Sequence, residues 1–147
     1  METEAAPHRP MKPYLREFDP ARDYERVSAW WQAHGWSAVP VGALPRLGVV
    51  AYFAHEDDIA AAGWLYMDNS VGVCMLEWLV TRPANRPKDS LRALDAIIEF
   101  LQQRAVDFGY GVMLTTARQS ALVRLHERHG FQKTDEGVTH LISFPTT

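Results

Sequence analysis

A single cysteine, Cys74, stands in this chain of 147 residues, so no internal disulfide can hold it together, and its place in an apolar run reads as a small core residue rather than a reactive thiol. An excess of charge of either sign is also missing. With 15 Lys+Arg against 18 Asp+Glu the formal net charge is -3, which offers no general attraction to a phosphate backbone and sets nucleic acid aside as a partner. No uncharged run approaches the roughly 18 residues of a membrane-spanning helix. Met1 to Pro13 carries Glu2, Glu4, His8 and Arg9 where a secretory leader would need an apolar stretch. A cytoplasmic protein without membrane attachment is the expectation. Several motifs are lacking too. There is no P-loop, no G-x-S-x-G and no Cys or His pair at zinc spacing, and His55, Asp57 and Asp58 share one short turn with no second ligand cluster, so no metal is expected.

What is present is enough apolar material for one core. Apolar residues make up 47% of the chain, and a chain of about 150 residues buries about two thirds of its unfolded surface. Residues 1–12, with two prolines and no apolar periodicity, read as a flexible tail, and 13–147 as a single domain.

The pattern of elements can be followed along that domain. Tyr14 to Phe18 suits a short strand, and Asp19-Pro20 then supplies a helix cap followed by proline at the first helical position. Tyr24, Val27 and Trp31 recur at helical spacing, and Gly35 is placed to stop the helix. Trp36 to Leu47, broken by Pro40, Gly42 and Pro45, predicts a loop with one helical turn at most. Gly48 to His55, Ile59 to Met67 and Val71 to Thr81 read as three antiparallel strands in a meander, the last apolar on both faces except at Glu77. After Pro87 the stripe Leu91, Leu94, Ile98, Leu101, Ala105 and Phe108 predicts a long amphipathic helix ended by Gly109 or Gly111. Val112 to Thr116 suits a buried strand, Ala121 to Leu125 a short helix closed by Gly130, and Phe131 to Thr134 with Val138 to Phe144 a final hairpin.

This order of strand, helix, loop, three-strand meander, long helix, strand, short helix and strand pair resembles the GNAT superfamily of N-acetyltransferases over about residues 13 to 144. Leu125-His126-Glu127-Arg128-His129-Gly130-Phe131 is similar to that family's L-Y-E-K-x-G-F segment. Leu79-Val80-Thr81 followed by Asn85 to Leu94 is similar to its strand, R-x-x-G-x-G/A turn and helix start, with Arg86 at the arginine position and Asp89 and Leu91 at the two glycine positions. The resemblance implies an α+β fold of three α/β/α layers, with a twisted, mostly antiparallel mixed sheet of six to seven strands and helices on both faces.

It also implies an activity: direct transfer of an acyl group, as an N-acetyltransferase would, from acetyl-CoA to the amine of a small molecule or protein, by a monomer or homodimer. Glu77 is the expected base, since burial in an apolar run raises a carboxyl pKa toward neutrality, and His126 the expected acid. The donor would lie against Leu79, Val80 and Thr81, with its phosphates near Arg86, Pro87, Lys88, Asp89, Ser90, Leu91 and Arg118. Arg82, Arg86, Lys88 and Arg92 make this stretch locally basic, so side-chain cations stand in for glycine-rich backbone. Trp30, Trp31, His34 and Trp36 would line the acceptor side. The alternative is a catalytically inactive binding or regulatory protein of the same fold, for which the tryptophans would form an exposed patch.

Overall fold

The computed structural model describes residues 12–145. All of the expected tail but Lys12 therefore lies outside the described residues. The chain divides into two compact units, one ending at Thr116 and one beginning at Ala117.

The first unit is built on a five-stranded sheet in the sequential order β1-β2-β3-β4-β5, with β1 Tyr14–Glu17, β2 Leu47–Tyr52, β3 Ile59–Met67, β4 Val73–Thr81 and β5 Val112–Thr115. The first four strands pair antiparallel and β5 joins β4 in parallel. That parallel step requires a crossover, which is the 21-residue helix α2, Pro87–Asp107. The other helix, α1, spans Pro20–Ala33, with the Asp19 side chain accepting from the Ala21 N–H at its start and Pro20 as its first residue. It ends where Gly35 takes φ +80°, the left-handed conformation that glycine adopts at no steric cost. A single 3-10 turn, Val41–Ala43, interrupts the loop that follows.

The two helices cover opposite faces. On one side, Val27, Trp30 and Trp31 of α1 pack with Phe18, Val39, Val50, Ile59, Ala62, Trp64 and Val80. Trp64 is the centre of this layer, its ring 4.9 Å from Phe18 in an edge contact and 5.5 Å from Trp31. On the other side, the stripe of Ala93, Leu94, Ile97, Ile98, Leu101 and Ala105 is buried. Gly63 lets that helix approach: a Cβ there would lie 2.6 Å from Leu79 Cδ2 and 2.8 Å from Ile97 Cγ2, closer than packed carbons sit. A buried ion pair pins the first corner. Arg16 forks onto Asp23 with both bonds at 2.8 Å, and Asp23 also accepts the Asp19 N–H. Burial pushes the Asp23 carboxyl up, but Arg16 and that amide together hold it below the usual range.

The second unit contains α3, Ser120–Arg128, followed by Gly130 at φ +90°. Here the expected sheet needs correction. It has five strands, not six to seven, and Phe131 to Thr134 and Val138 to Phe144 form no hairpin. Val138, Leu141, Ile142 and Phe144 are exposed. Their alternation with polar residues records which side chains burial would favour, but a lone two-stranded ribbon is marginal without a face to cover.

Candidate active site

β4 carries the feature on which the site depends. It pairs with β5 only from Val73 to Leu76, against Val112 to Thr115, and the last of these bonds is reinforced by the Thr115 hydroxyl, which donates to the Leu76 carbonyl at 2.6 Å. From Glu77 to Thr81, β4 has no paired strand on that side among the described residues. At the same point its register with β3 slips. Trp64 stands opposite Glu77 and Ala62 opposite Val80, so Trp78 and Leu79 share the single partner Gly63. This is a β-bulge, and Trp78 at its centre takes φ +65°. A left-handed residue with a Cβ costs about 1–2 kcal/mol, and two hydrogen bonds hold it there: Trp31 Nε1 donates to the Trp78 carbonyl at 3.3 Å and Trp78 Nε1 donates to the Tyr66 hydroxyl at 2.7 Å. Tyr66 in turn donates to the Ala43 carbonyl at 2.5 Å, tying the 41–44 turn to the bulge.

Glu77, the last regularly paired residue before the bulge, stands on the same face as its partner Trp64 and as Tyr66. Its carboxyl is half-buried and accepts one hydrogen bond, from the Thr116 hydroxyl at 3.3 Å. Burial pushes its pKa up to about 7, the threonine bond acting weakly the other way. A carboxyl in that range exchanges protons at neutral pH, which ordinary glutamates do not. Burial also pushes the Tyr66 phenol up, with the nearby Glu77 charge adding to it. Tyr66, Trp78 and Thr116 were not singled out in the sequence. Tyr66 and Thr116 end apolar runs with a hydroxyl, a faint signal, and nothing in a tryptophan announces a left-handed backbone.

The other expected site residues fall in three places. Trp30 and Trp31 are core, 6% and 2% exposed, so the tryptophans make no joint surface patch. His34 donates its Nε2–H to the Thr81 carbonyl at 3.0 Å and stacks on the half-buried Trp36 with ring centres 4.9 Å apart. Leu79 and Val80 are buried along β4 and Thr81 is half-buried at its end.

At the start of α2, Arg86 is the cap residue with Pro87 behind it. Arg86 and Lys88 are exposed, as is Leu91, while Asp89 is 4% exposed and its carboxylate lies 3.9 Å from Arg92. Ser90 accepts from Asn85 Nδ2 at 3.2 Å. That same amide donates to the Ala60 carbonyl at 2.7 Å, and Asn85 Oδ1 accepts from Arg82 Nε. Arg82 also pairs with Asp58, and Arg22 with Asp57, so the hairpin carboxylates serve as ion-pair partners.

In the second unit, Arg118 is exposed and precedes α3. His126 is buried, not on the helix surface. Its Nδ1 meets the Leu122 carbonyl at 2.7 Å, its ring stands edge-on to Phe131, and its Nε2 has no partner. Burial pulls its pKa down, the Leu122 bond opposing.

A diphosphate needs several converging donors, and the beginning of α2 supplies few. Pro87 has no N–H, and the N–H groups of Asp89 and Ser90 both donate to the Arg86 carbonyl. Of the first turn only the Lys88 N–H is left, so the residues fit a phosphate chiefly through the Arg86 and Lys88 side chains.

No family model matches the sequence, and no curated protein matches it. Solved structures do. A probable acetyltransferase superposes with a TM-score of 0.67 at 13% identity, covering 92% of this chain and 99% of that one. A transcriptional regulator from Bacillus halodurans gives 0.65 at 14%, covering 88% and 99%. An acetyltransferase described as GNAT family, from Streptococcus pneumoniae, gives 0.55 at 15%, covering 91% and 97%. Among the described residues no helix is long and apolar enough to cross a membrane.

Proposed function

We propose that this chain, whose fold is that of the GNAT acetyltransferases, is an N-acyltransferase that moves an acyl group from acetyl-CoA or a related thioester directly to an amine. The observation that carries the reading is Glu77: a half-buried carboxyl with a pKa near 7 on the residue where β4 loses its pairing with β5, so that an extended donor could lie along the unpaired edge. Acyl transfer needs a base that can take the amine proton near neutral pH without being permanently charged or permanently protonated. Glu77 has that property. The amine nitrogen forms a bond to the acyl carbon as its proton passes to Glu77, directly or through water, the C–S bond breaks, and the sulfur leaves with one proton. The departing thiolate takes that proton from water.

The donor arm is proposed to run beside Leu79, Val80 and Thr81, with Arg86 and Lys88 meeting its phosphates. The acceptor would approach over Trp36 and His34, the members of the aromatic group that keep accessible surface. The test is a panel of small amines and amine-bearing peptides with acetyl-CoA, following thiol release, on the wild type and Glu77→Gln. Turnover that falls by about 10²–10⁴ in kcat in the variant is expected. No turnover with any amine, or a kcat unchanged by Glu77→Gln, would overturn the reading.

A further inference from the structure

We infer that the donor is recognised through its pantetheine arm and thioester, and that the adenosine diphosphate half of coenzyme A contributes little to binding; this rests on the acyltransferase reading above. Its donor class would then be pantetheine thioesters in general.

An extended arm laid along β4 from Glu77 to Thr81 takes four strand steps, about 13 Å at 3.3 Å per residue. What lies beyond it is the 82–86 loop and the first turn of α2. Helix starts hold phosphates by aiming several free N–H groups and the positive end of the helix dipole at them. This helix start has little of either left, only the Lys88 N–H remaining of its first turn. Proline stands at its first position, and the amides of Asp89 and Ser90 are spent on the Arg86 carbonyl. The dipole already has its anion, the Asp89 carboxylate, 4% exposed in the first turn and backed by Arg92. The loop before it is occupied as well: Asn85 ties Ala60, Ser90 and Arg82 together, and Arg82 is committed to Asp58. Arg86 and Lys88 remain, exposed cations whose pull is screened by salt. The arm, by contrast, meets a rigid strand edge beside a bulge fixed by Trp31 and Tyr66.

The experiment compares equilibrium binding of coenzyme A and pantetheine by calorimetry, and kcat/KM for acetyl-CoA and S-acetylpantetheine with one amine, all with the full chain at physiological salt. Binding constants and kcat/KM that agree within about tenfold, which is ~1.4 kcal/mol, are expected, and 3',5'-adenosine diphosphate should not compete. Arg86→Ala/Lys88→Ala should lower kcat/KM for acetyl-CoA by less than about threefold. Coenzyme A favoured by more than tenfold, with acetyl-CoA turned over, overturns this inference and leaves the acyltransferase reading standing. Neither thiol binding at millimolar concentration overturns both.

Discussion

The two halves of β4 are built for opposite purposes. From Val73 to Leu76 the strand has β3 on one side and β5 on the other, and Cys74 and Leu76 are sealed beneath α2 at 1% and 0% exposure. From Glu77 to Thr81 it keeps only β3, loses register by one residue and holds a tryptophan in a left-handed conformation. Closed pairing and dry packing stabilise; an open edge, a half-buried acid and a strained backbone do not. The half-buried acid thus stands one residue beyond the last position of β4 that is paired on both sides.

The comparison breaks most visibly at its boundary, where adjacent residues should respond in different ways. Leu76→Ala removes a fully buried side chain and should cost about 2–5 kcal/mol in urea denaturation, with kcat of the folded fraction nearly unchanged. Equal losses of stability from Leu76→Ala and Glu77→Gln would erase the distinction between the halves.

The next effect is the pH dependence of stability. Glu77 has a pKa near 7 folded against an ordinary 4.5, so the folded state holds this proton more tightly than the unfolded one. Its contribution is complete below about pH 4.5, is lost as pH rises to about 7 and is flat above that, a total of roughly 3 kcal/mol. Glu77→Gln cannot titrate. The stability of the wild type relative to this variant should therefore fall across that window, measured by urea midpoints at pH 4.5, 6 and 8, and a difference independent of pH would show that Glu77 is solvated.

The smallest effect sharpens the open half. Tyr66→Phe deletes the hydroxyl between Trp78 Nε1 and the Ala43 carbonyl, leaving a donor and an acceptor without each other. A loss of about 1–2 kcal/mol is expected, together with a raised KM for the amine as the 41–44 turn loosens. A change in stability with the amine KM unaltered would mean that this turn has no part in the acceptor side.

Much of the scaffold was legible because its signals are local. Asp19-Pro20 caps α1, Gly35, Gly109 and Gly130 take the left-handed conformations that end helices, and the stripe from Leu94 to Ala105 is the buried face of α2. The final hairpin was not legible, since alternation from Val138 to Phe144 states a preference for burial but not whether a face is there to receive it. The surroundings of Glu77 could be read as apolar, yet the bulge that follows it could not. A one-residue slip depends on Gly63 across the strand and on Trp31 and Tyr66, residues 47 and 12 positions from Trp78. Trp31 could be read as core from its place in the helical stripe, and Trp30 joins it there. Three tryptophans near one another suggested a surface, but a small sheet sealed by one 14-residue helix needs large side chains to fill that layer.

The slip at Trp78 also separates what two kinds of mutation can do to this strand. A strand is normally read in twos, and β4 must be read with one residue too many. Deleting Trp78 or Leu79 would restore regular counting with one residue opposite Gly63, while Val80 keeps Ala62 and Thr81 keeps Ala61 as partners, so the residues beyond the cut would hold their faces and only the left-handed corner would vanish. Substitutions tune Glu77 and its neighbours one contact at a time, whereas that deletion would remove the corner beside the carboxyl and leave the pairing on either side of it intact.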